Sequence, residues 1–180
     1  MKLIIAVTAA AVALTWAAAA PAQTFAPTPP PSPCATPDHR AFDFWVGAWD
    51  VTRTGETKLV AHSLIERLYA GCAIRENWMP LGGTGGGSLS AWVPEEKAWR
   101  QTWVDSSGTR VDFRGGMAAN AMVLTGFWKD VLGPGRSALV RMTYTRQEGG
   151  AVRQKGDTSV DDGRSWRLSF DFTYRPAASR

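Results

Sequence analysis

Two segments of the sequence place a polar residue beside tryptophan at every second position: Glu76 is followed by Trp78, and Gln101 lies between Trp99 and Trp103. Side chains with that spacing lie on one face of a β-strand. Two such strands facing inward would surround a few polar groups with indole rings, which is a typical composition for a small-molecule pocket. We therefore expect a ligand-binding cavity lined by Glu76, Trp78, Trp99, Gln101 and Trp103.

Arg114 is the candidate counter-charge for this set, because it lies on the short segment that follows. A buried carboxylate without a partner costs free energy, so a buried Glu76 requires one, and Arg114 could instead bind a ligand carboxylate. Beside a second polar group, a desolvated Glu76 would also suit acid–base chemistry such as isomerisation or decarboxylation. The alternative is a solid core of packed indoles with Glu76 facing solvent.

Other reactive arrangements are missing from the sequence. His39 and His62 stand alone, and there is no Ser-His-Asp order or nucleophile elbow. The glycine run at residues 82–87 lacks the Lys-Ser/Thr ending of a phosphate loop. We expect no metal site and no cofactor, and a binding protein rather than an enzyme.

The composition indicates one folded domain. Hydrophobic residues make up 44% of the 180 residues and charged residues 20%, which is unlike a disordered chain. The net charge is +4, and the basic residues are interspersed with acidic ones. Because nucleic-acid binding normally needs a concentrated basic stripe, we expect no nucleic-acid partner.

The N-terminus has the features of an export signal. A basic start at Lys2 precedes an uncharged apolar run over residues 3–20, and Ala20 and Ala22 offer small side chains for cleavage before Gln23. We expect residues 1–22 to be removed and the mature protein to be periplasmic or secreted, without stable membrane insertion. The alternative is that the run is retained as a membrane anchor.

Residues 23–40 form a proline-rich linker that contains one of the two cysteines. Six prolines in this segment disfavour helix and sheet. In an oxidising compartment two lone cysteines usually pair, so we predict a disulfide between Cys34 and Cys72. A redox-active pair is the alternative, but these cysteines lack the close Cys-X-X-Cys spacing.

Residues 41–176 alternate between strand and turn patterns, and residues 177–180 form a tail. Alternation is clearest at residues 138–145 and 166–174, where one face is apolar. Nine turn signals rich in Gly, Pro, Asp or Ser imply about ten strands. An all-β antiparallel up-and-down barrel of about ten strands would leave no open edge, with a two-sheet sandwich as the alternative.

The stretch from Phe42 to Val51 contains Gly47-Ala48-Trp49 and resembles the Gly-X-Trp first strand of lipocalin-like (calycin) barrels. Residues 71–78 and 99–105 are similar to bacterial secreted proteins of a domain-of-unknown-function family with that barrel. The resemblance covers about residues 42–174 and implies binding of a small, usually lipophilic molecule. It also implies that Trp49 closes one barrel end, covered by Arg175 from the last strand.

Three functions follow from these observations. The first is a barrel that binds a small hydrophobic or aromatic molecule in its lumen. The second is a small barrel enzyme with Glu76 as the proton-transfer group, and the third is a non-catalytic partner-binding module with an exposed apolar patch. Nitrobindin-like barrels hold haem through a late-strand His, and this chain has no His after His62, so we expect no histidine-ligated haem.

Overall fold

The computed structural model describes residues 32–178 and shows a closed barrel of ten antiparallel strands. Each strand pairs with its neighbours in sequence, and the first strand pairs with the last to close the sheet. The predicted all-β up-and-down barrel is confirmed, in place of the two-sheet sandwich. The strands are β1 (Gly47–Arg53), β2 (Leu59–Leu68), β3 (Ala73–Pro80), β4 (Gly86–Val93), β5 (Ala98–Asp105), β6 (Arg110–Ala118), β7 (Ala121–Trp128), β8 (Ala138–Arg146), β9 (Val152–Ser159) and β10 (Arg167–Pro176).

Helical structure in this part of the chain is short. One α-helical turn, α1 (Pro37–Arg40), is capped by Thr36, whose hydroxyl accepts a hydrogen bond from the backbone of His39. Four 3₁₀ turns lie at Asp43–Trp45, Tyr69–Gly71, Pro94–Glu96 and Glu148–Gly150. Within residues 32–178, no helix is long and apolar enough to cross a membrane. The predicted signal peptide, at residues 1–22, lies outside the described residues.

Alternation of inward and outward side chains places the core inside the barrel. In β8, Ala138, Val140, Met142 and Tyr144 are buried, whereas the residues between them are more exposed. The alternation predicted for residues 166–174 fails at its start, because a register shift lies between Leu168 and Phe170. Leu168 is 61% exposed as a result, while Phe170 and Phe172 pack against the core.

A plug of aromatic residues closes one end of the barrel. Phe42 and Trp45 lie before β1 and are fully buried, with their rings stacked 5.0 Å apart. The ring of Tyr144 lies 4.9 Å from Phe42 and 4.7 Å from Trp45. The indole nitrogen of Trp49 donates to the carbonyl of Trp45 at 2.9 Å. These contacts fill the lumen at the end where β1 begins.

The predicted disulfide is confirmed and lies at the closed end. Cys34 and Cys72 are bonded, with their Cα atoms 4.9 Å apart. The hydroxyl of Ser32 donates to the carbonyl of Ala70 at 2.7 Å. The indole of Trp99 donates to the carbonyl of Asp38 at 3.2 Å. Residues 32–40, the described part of the predicted linker, are therefore fastened to the barrel.

Candidate functional site

A cavity of about 260 Å³ occupies the barrel beyond the aromatic plug. Its lining comes from β3 and from β5 to β10, whose inward-facing side chains meet because the barrel is closed. The lining residues are Glu76, Trp78, Gln101, Trp103, Phe113, Trp128, Met142, Tyr144, Gln154, Phe170, Phe172 and Tyr174.

The lining has a polar inner part and an aromatic outer part. The polar side chains are buried, and they are Glu76, Gln101, Tyr144, Gln154 and Tyr174. Half-buried rings lie nearer the strand ends that face away from the plug, and they are Trp78, Trp103, Trp128, Phe170 and Phe172. The rings of Trp78 and Phe172 are 5.7 Å apart, and those of Phe170 and Phe172 are 5.2 Å apart. A molecule entering between these rings would meet the polar groups at its inner end.

Glu76 is held in the lumen by two serines on the neighbouring strands. It lies on β3 and is 5% exposed. The hydroxyl of Ser63 on β2 donates to Oε1 at 3.2 Å, and that of Ser88 on β4 donates to Oε2 at 3.3 Å. Burial raises the pKa of Glu76 from 4.5 to about 7, although both serines and the hydroxyl of Tyr174 favour the ionised form.

Gln154 joins two tyrosines at the base of the cavity. The hydroxyl of Tyr174 donates to the Oε1 atom of Gln154, and Nε2 of Gln154 donates to the hydroxyl of Tyr144 at 3.2 Å. Burial, together with the negative charge of Glu76, raises the pKa of both tyrosines, so they remain neutral donors and acceptors. Gln101 contributes a further polar group and donates to the hydroxyl of Ser90 at 3.0 Å.

The structure brings four of the predicted ligand-binding residues together. Glu76, Trp78, Gln101 and Trp103 all line the cavity, as their shared spacing suggested. Trp99 lies elsewhere: it is 2% exposed and its ring meets Phe42 edge-on at 5.7 Å in the plug. The ligand-binding role of the four cavity residues stays a prediction.

The expectation that Arg114 contributes charge to the cavity is wrong. Phe113 faces the lumen, so the next side chain on β6 faces outward. The guanidinium of Arg114 donates to Glu96 Oε2 at 3.2 Å on the outer surface, where Glu96 also accepts from Arg100. Among the described residues that line the cavity, none is Lys, Arg or His.

Trp49 lies at the closed end of the barrel. The resemblance to lipocalin-like barrels implied that Arg175 covers its ring, but Tyr174 contacts this ring instead. The ring of Tyr174 lies 6.3 Å from that of Trp49, nearly perpendicular to it. Arg175 follows Tyr174 on β10 and is therefore on the outer face, where its guanidinium donates to the Thr52 hydroxyl at 3.0 Å.

Sequence reasoning missed Tyr144, Tyr174 and Gln154 as site residues. Both tyrosines lie on apolar faces that were identified, so their hydroxyls could have been considered as polar groups of the lumen. Gln154 gave no such signal, because β9 is largely polar and shows no apolar alternation around it.

The described residues, 32–178, contain no cluster of three or more His, Cys, Asp or Glu side chains that could hold a metal ion. Comparison of the sequence with protein-family models and with curated proteins gives no match. The structure itself defines the class: a closed ten-stranded antiparallel β-barrel with an internal cavity, compatible with a calycin-like barrel.

Proposed function

We propose that this protein is an exported, periplasmic or secreted barrel that binds a small hydrophobic or aromatic molecule in its lumen. The observation that carries the proposal is the cavity, in which aromatic walls surround a small number of buried polar groups. Such walls supply apolar contact area, and the polar groups fix the orientation of a bound molecule. The disulfide suits an oxidising compartment and supports the export part of the proposal.

The cavity volume limits the size of the ligand. At about 260 Å³ it exceeds a cavity of about 150 Å³ that is known to hold benzene. It falls just below the range of about 300–1,000 Å³ that is usual for drug-sized ligands. The best fit is therefore a molecule with one or two rings, or an aliphatic molecule of similar size.

The polar inner part of the cavity, called its polar base below, is held by internal hydrogen bonds before any ligand binds. Gln154 holds both tyrosine hydroxyls, and two serines hold Glu76. Groups that are already fixed by hydrogen bonds lose little freedom on binding, so more of the interaction free energy appears as affinity. A ligand with one polar end and an apolar ring matches this arrangement.

Native mass spectrometry of the protein purified from its own host tests the proposal. We expect a co-purified small molecule in the wild type and its loss in Trp103→Ala, which removes a ring from the cavity wall. Trp166→Ala is the matched control, because Trp166 lies outside the cavity lining and beneath the guanidinium of Arg141. Equal ligand occupancy in all three proteins, or none in any of them even after addition of small aromatic compounds, would contradict the proposal.

Acid–base catalysis is the second candidate, and it is favoured by Glu76. A carboxyl group whose pKa is raised to about 7 inside a cavity can both release and accept a proton near neutral pH. Incubation of the extracted ligand with wild type and with Glu76→Gln distinguishes the two functions. Conversion of the ligand by the wild type alone would indicate an enzyme, whereas an unchanged ligand in both samples would indicate a binding protein.

A further inference from the structure

Glu76 is an acidic group in a cavity whose lining, within residues 32–178, contains no Lys, Arg or His. Both of its oxygens accept hydrogen bonds from serine hydroxyls, which are neutral donors at 3.2 and 3.3 Å. Arg114, which the sequence suggested as its partner, lies on the outer surface of the barrel and pairs with Glu96. Buried carboxylates are normally paired with a cation or a metal ion, because hydrogen bonds from neutral groups replace only part of the lost hydration.

The side chains that face Glu76 from the surrounding strands supply no counter-charge either. Ser63 and Ser88 lie beside it on β2 and β4, and the titratable groups that face it are Tyr174 on β10 and Tyr144 on β8. Both tyrosines are neutral, and Gln154 between them is an amide. Among the described residues around the lumen, Glu76 is thus the single group that changes its charge near neutral pH.

The outer part of the cavity adds a second attraction for positive charge. Trp78, Trp103 and Trp128 line it together with two phenylalanines. The faces of aromatic rings carry negative electrostatic potential and attract ammonium groups, most strongly when the ring is an indole. A cation on its way to Glu76 would pass along these rings.

We propose that the ligand is an organic cation, a primary or secondary amine with one or two rings, whose ammonium group pairs with Glu76 while its ring lies between the cavity tryptophans. This inference rests on the proposed function and names its ligand class. A single ligand of this kind would pair with the carboxylate of Glu76 and also contact the aromatic walls. The polar base and the apolar walls then recognise the two ends of one molecule.

Three probes that share a phenyl ring separate charge from shape. They are 2-phenylethylamine, which is a cation, 2-phenylethanol, which is its neutral counterpart, and phenylacetate, which is an anion. Their dissociation constants are measured by calorimetry with the mature protein at pH 8. We expect the amine to bind about tenfold more tightly than the alcohol, from a charge-assisted hydrogen bond and cation–π contact, and phenylacetate to bind weakest.

Glu76→Gln should reduce the amine-to-alcohol affinity ratio severalfold, towards the small preference that cation–π contact alone provides, without loss of alcohol binding. Glu56→Gln is the matched control, because Glu56 is exposed in the turn between β1 and β2, and this variant should keep the wild-type ratio. The pH dependence of probe affinity in the wild-type protein provides a second test, which needs no variant. The amine stays protonated as a lysine does, so its affinity should rise from pH 5.5 to 8 as Glu76 ionises, while the affinity of the alcohol stays flat.

The outcomes separate this inference from the proposed function. Equal binding of amine and alcohol at pH 8, or tightest binding of phenylacetate, would overturn the cation inference and leave the binding function standing. Failure of all three probes to bind would count against both. An amine-to-alcohol affinity ratio that is the same in Glu76→Gln as in the wild type would place the cation elsewhere and would also overturn the inference.

Discussion

At the scale of single residues, the carboxyl group of Glu76 makes folding stability depend on pH. Its pKa is raised from 4.5 to about 7 by burial, so the folded protein retains a proton that the unfolded chain has already released. The stabilising effect of the protonated form is fully present below about pH 4.5 and is lost as the pH rises through about 7. The loss amounts to roughly 3 kcal/mol over this interval.

Glu76→Gln should remove this pH dependence. Because Gln does not ionise, we expect the variant to gain about 3 kcal/mol relative to wild type between pH 4.5 and pH 8. Urea unfolding at several pH values measures the difference, with Glu56→Gln as the control that keeps the wild-type slope. Parallel stability curves for wild type and Glu76→Gln would show that the carboxyl group is not desolvated in the folded protein.

Gln154 is the residue whose loss should disturb the polar base most. Gln154→Leu removes a hydrogen-bond partner from each of the two tyrosine hydroxyls, and loss of the partner of a buried hydroxyl costs about 1–3 kcal/mol. We expect the double variant Gln154→Leu/Tyr174→Phe to recover part of the lost unfolding free energy, since it also removes one of the hydroxyls that lost its partner. Urea unfolding measures both proteins, and a double variant less stable than Gln154→Leu would argue against the network.

At the scale of strands, Gly156 on β9 determines how Phe170 sits at the cavity wall. A Cβ atom at this position would collide with the Phe170 ring on the paired strand β10. Phe170 is held from the other side by Phe172, with 5.2 Å between the rings. The missing side chain of Gly156 therefore provides the space in which the Phe170 ring lies.

Gly156→Ala should displace the Phe170 ring and narrow the cavity. We expect weaker ligand binding together with a stability loss of about 1–3 kcal/mol from overpacking. Gly116→Ala is the control, because a Cβ atom there meets nothing within 4 Å. Calorimetric titration and urea unfolding of the two variants check the prediction, and indistinguishable variants would refute the role given to Gly156.

The sequence was informative about strands wherever one face was apolar. Ten strands and the shared orientation of Glu76, Trp78, Gln101 and Trp103 follow from alternation and turn signals. The outward orientation of Arg114 could also have been predicted, because Val111 and Phe113 mark the inward face of its strand and Arg114 lies on the other face. The register shift after Leu168 and the inward position of Gln154 were not, since both depend on how a strand is aligned with its neighbours and not on its own apolar pattern.

At the scale of the whole molecule, the barrel is filled at one end, and the cavity lies in its lumen beyond that end. The plug around Phe42 and Trp45 comes from a segment before the first strand, and the disulfide fastens the chain just ahead of it. The sequence predicted the bond between Cys34 and Cys72 but not the burial of Phe42 and Trp45. Their packing depends on closure of the barrel around them, which local sequence patterns do not describe.

Removal of the disulfide should destabilise the protein without emptying the cavity. A cross-link over 38 residues stabilises by roughly 3–4 kcal/mol in the chain-entropy model. We expect the double variant Cys34→Ser/Cys72→Ser to lose about that much unfolding free energy while it still binds ligand at low temperature. Urea unfolding and calorimetry measure the two properties, and unchanged stability would show that the bond does not constrain the unfolded chain.

Binding of a ligand in the barrel lumen can be observed at the methionine methyl groups, because the methionines differ in their position relative to the cavity. Met142 lines the cavity, Met122 is buried among the core residues, and Met79 and Met117 are 40% and 45% exposed. The measurement is an NMR titration of the protein, labelled with ¹³C at its methionine methyl groups, with 2-phenylethylamine and 2-phenylethanol. We expect a saturable shift of the Met142 resonance with at least one probe, and no shift of the Met79 and Met117 resonances. A Met142 resonance that stays fixed at millimolar concentrations of both probes, or that moves no more than the two exposed methionines, would contradict it.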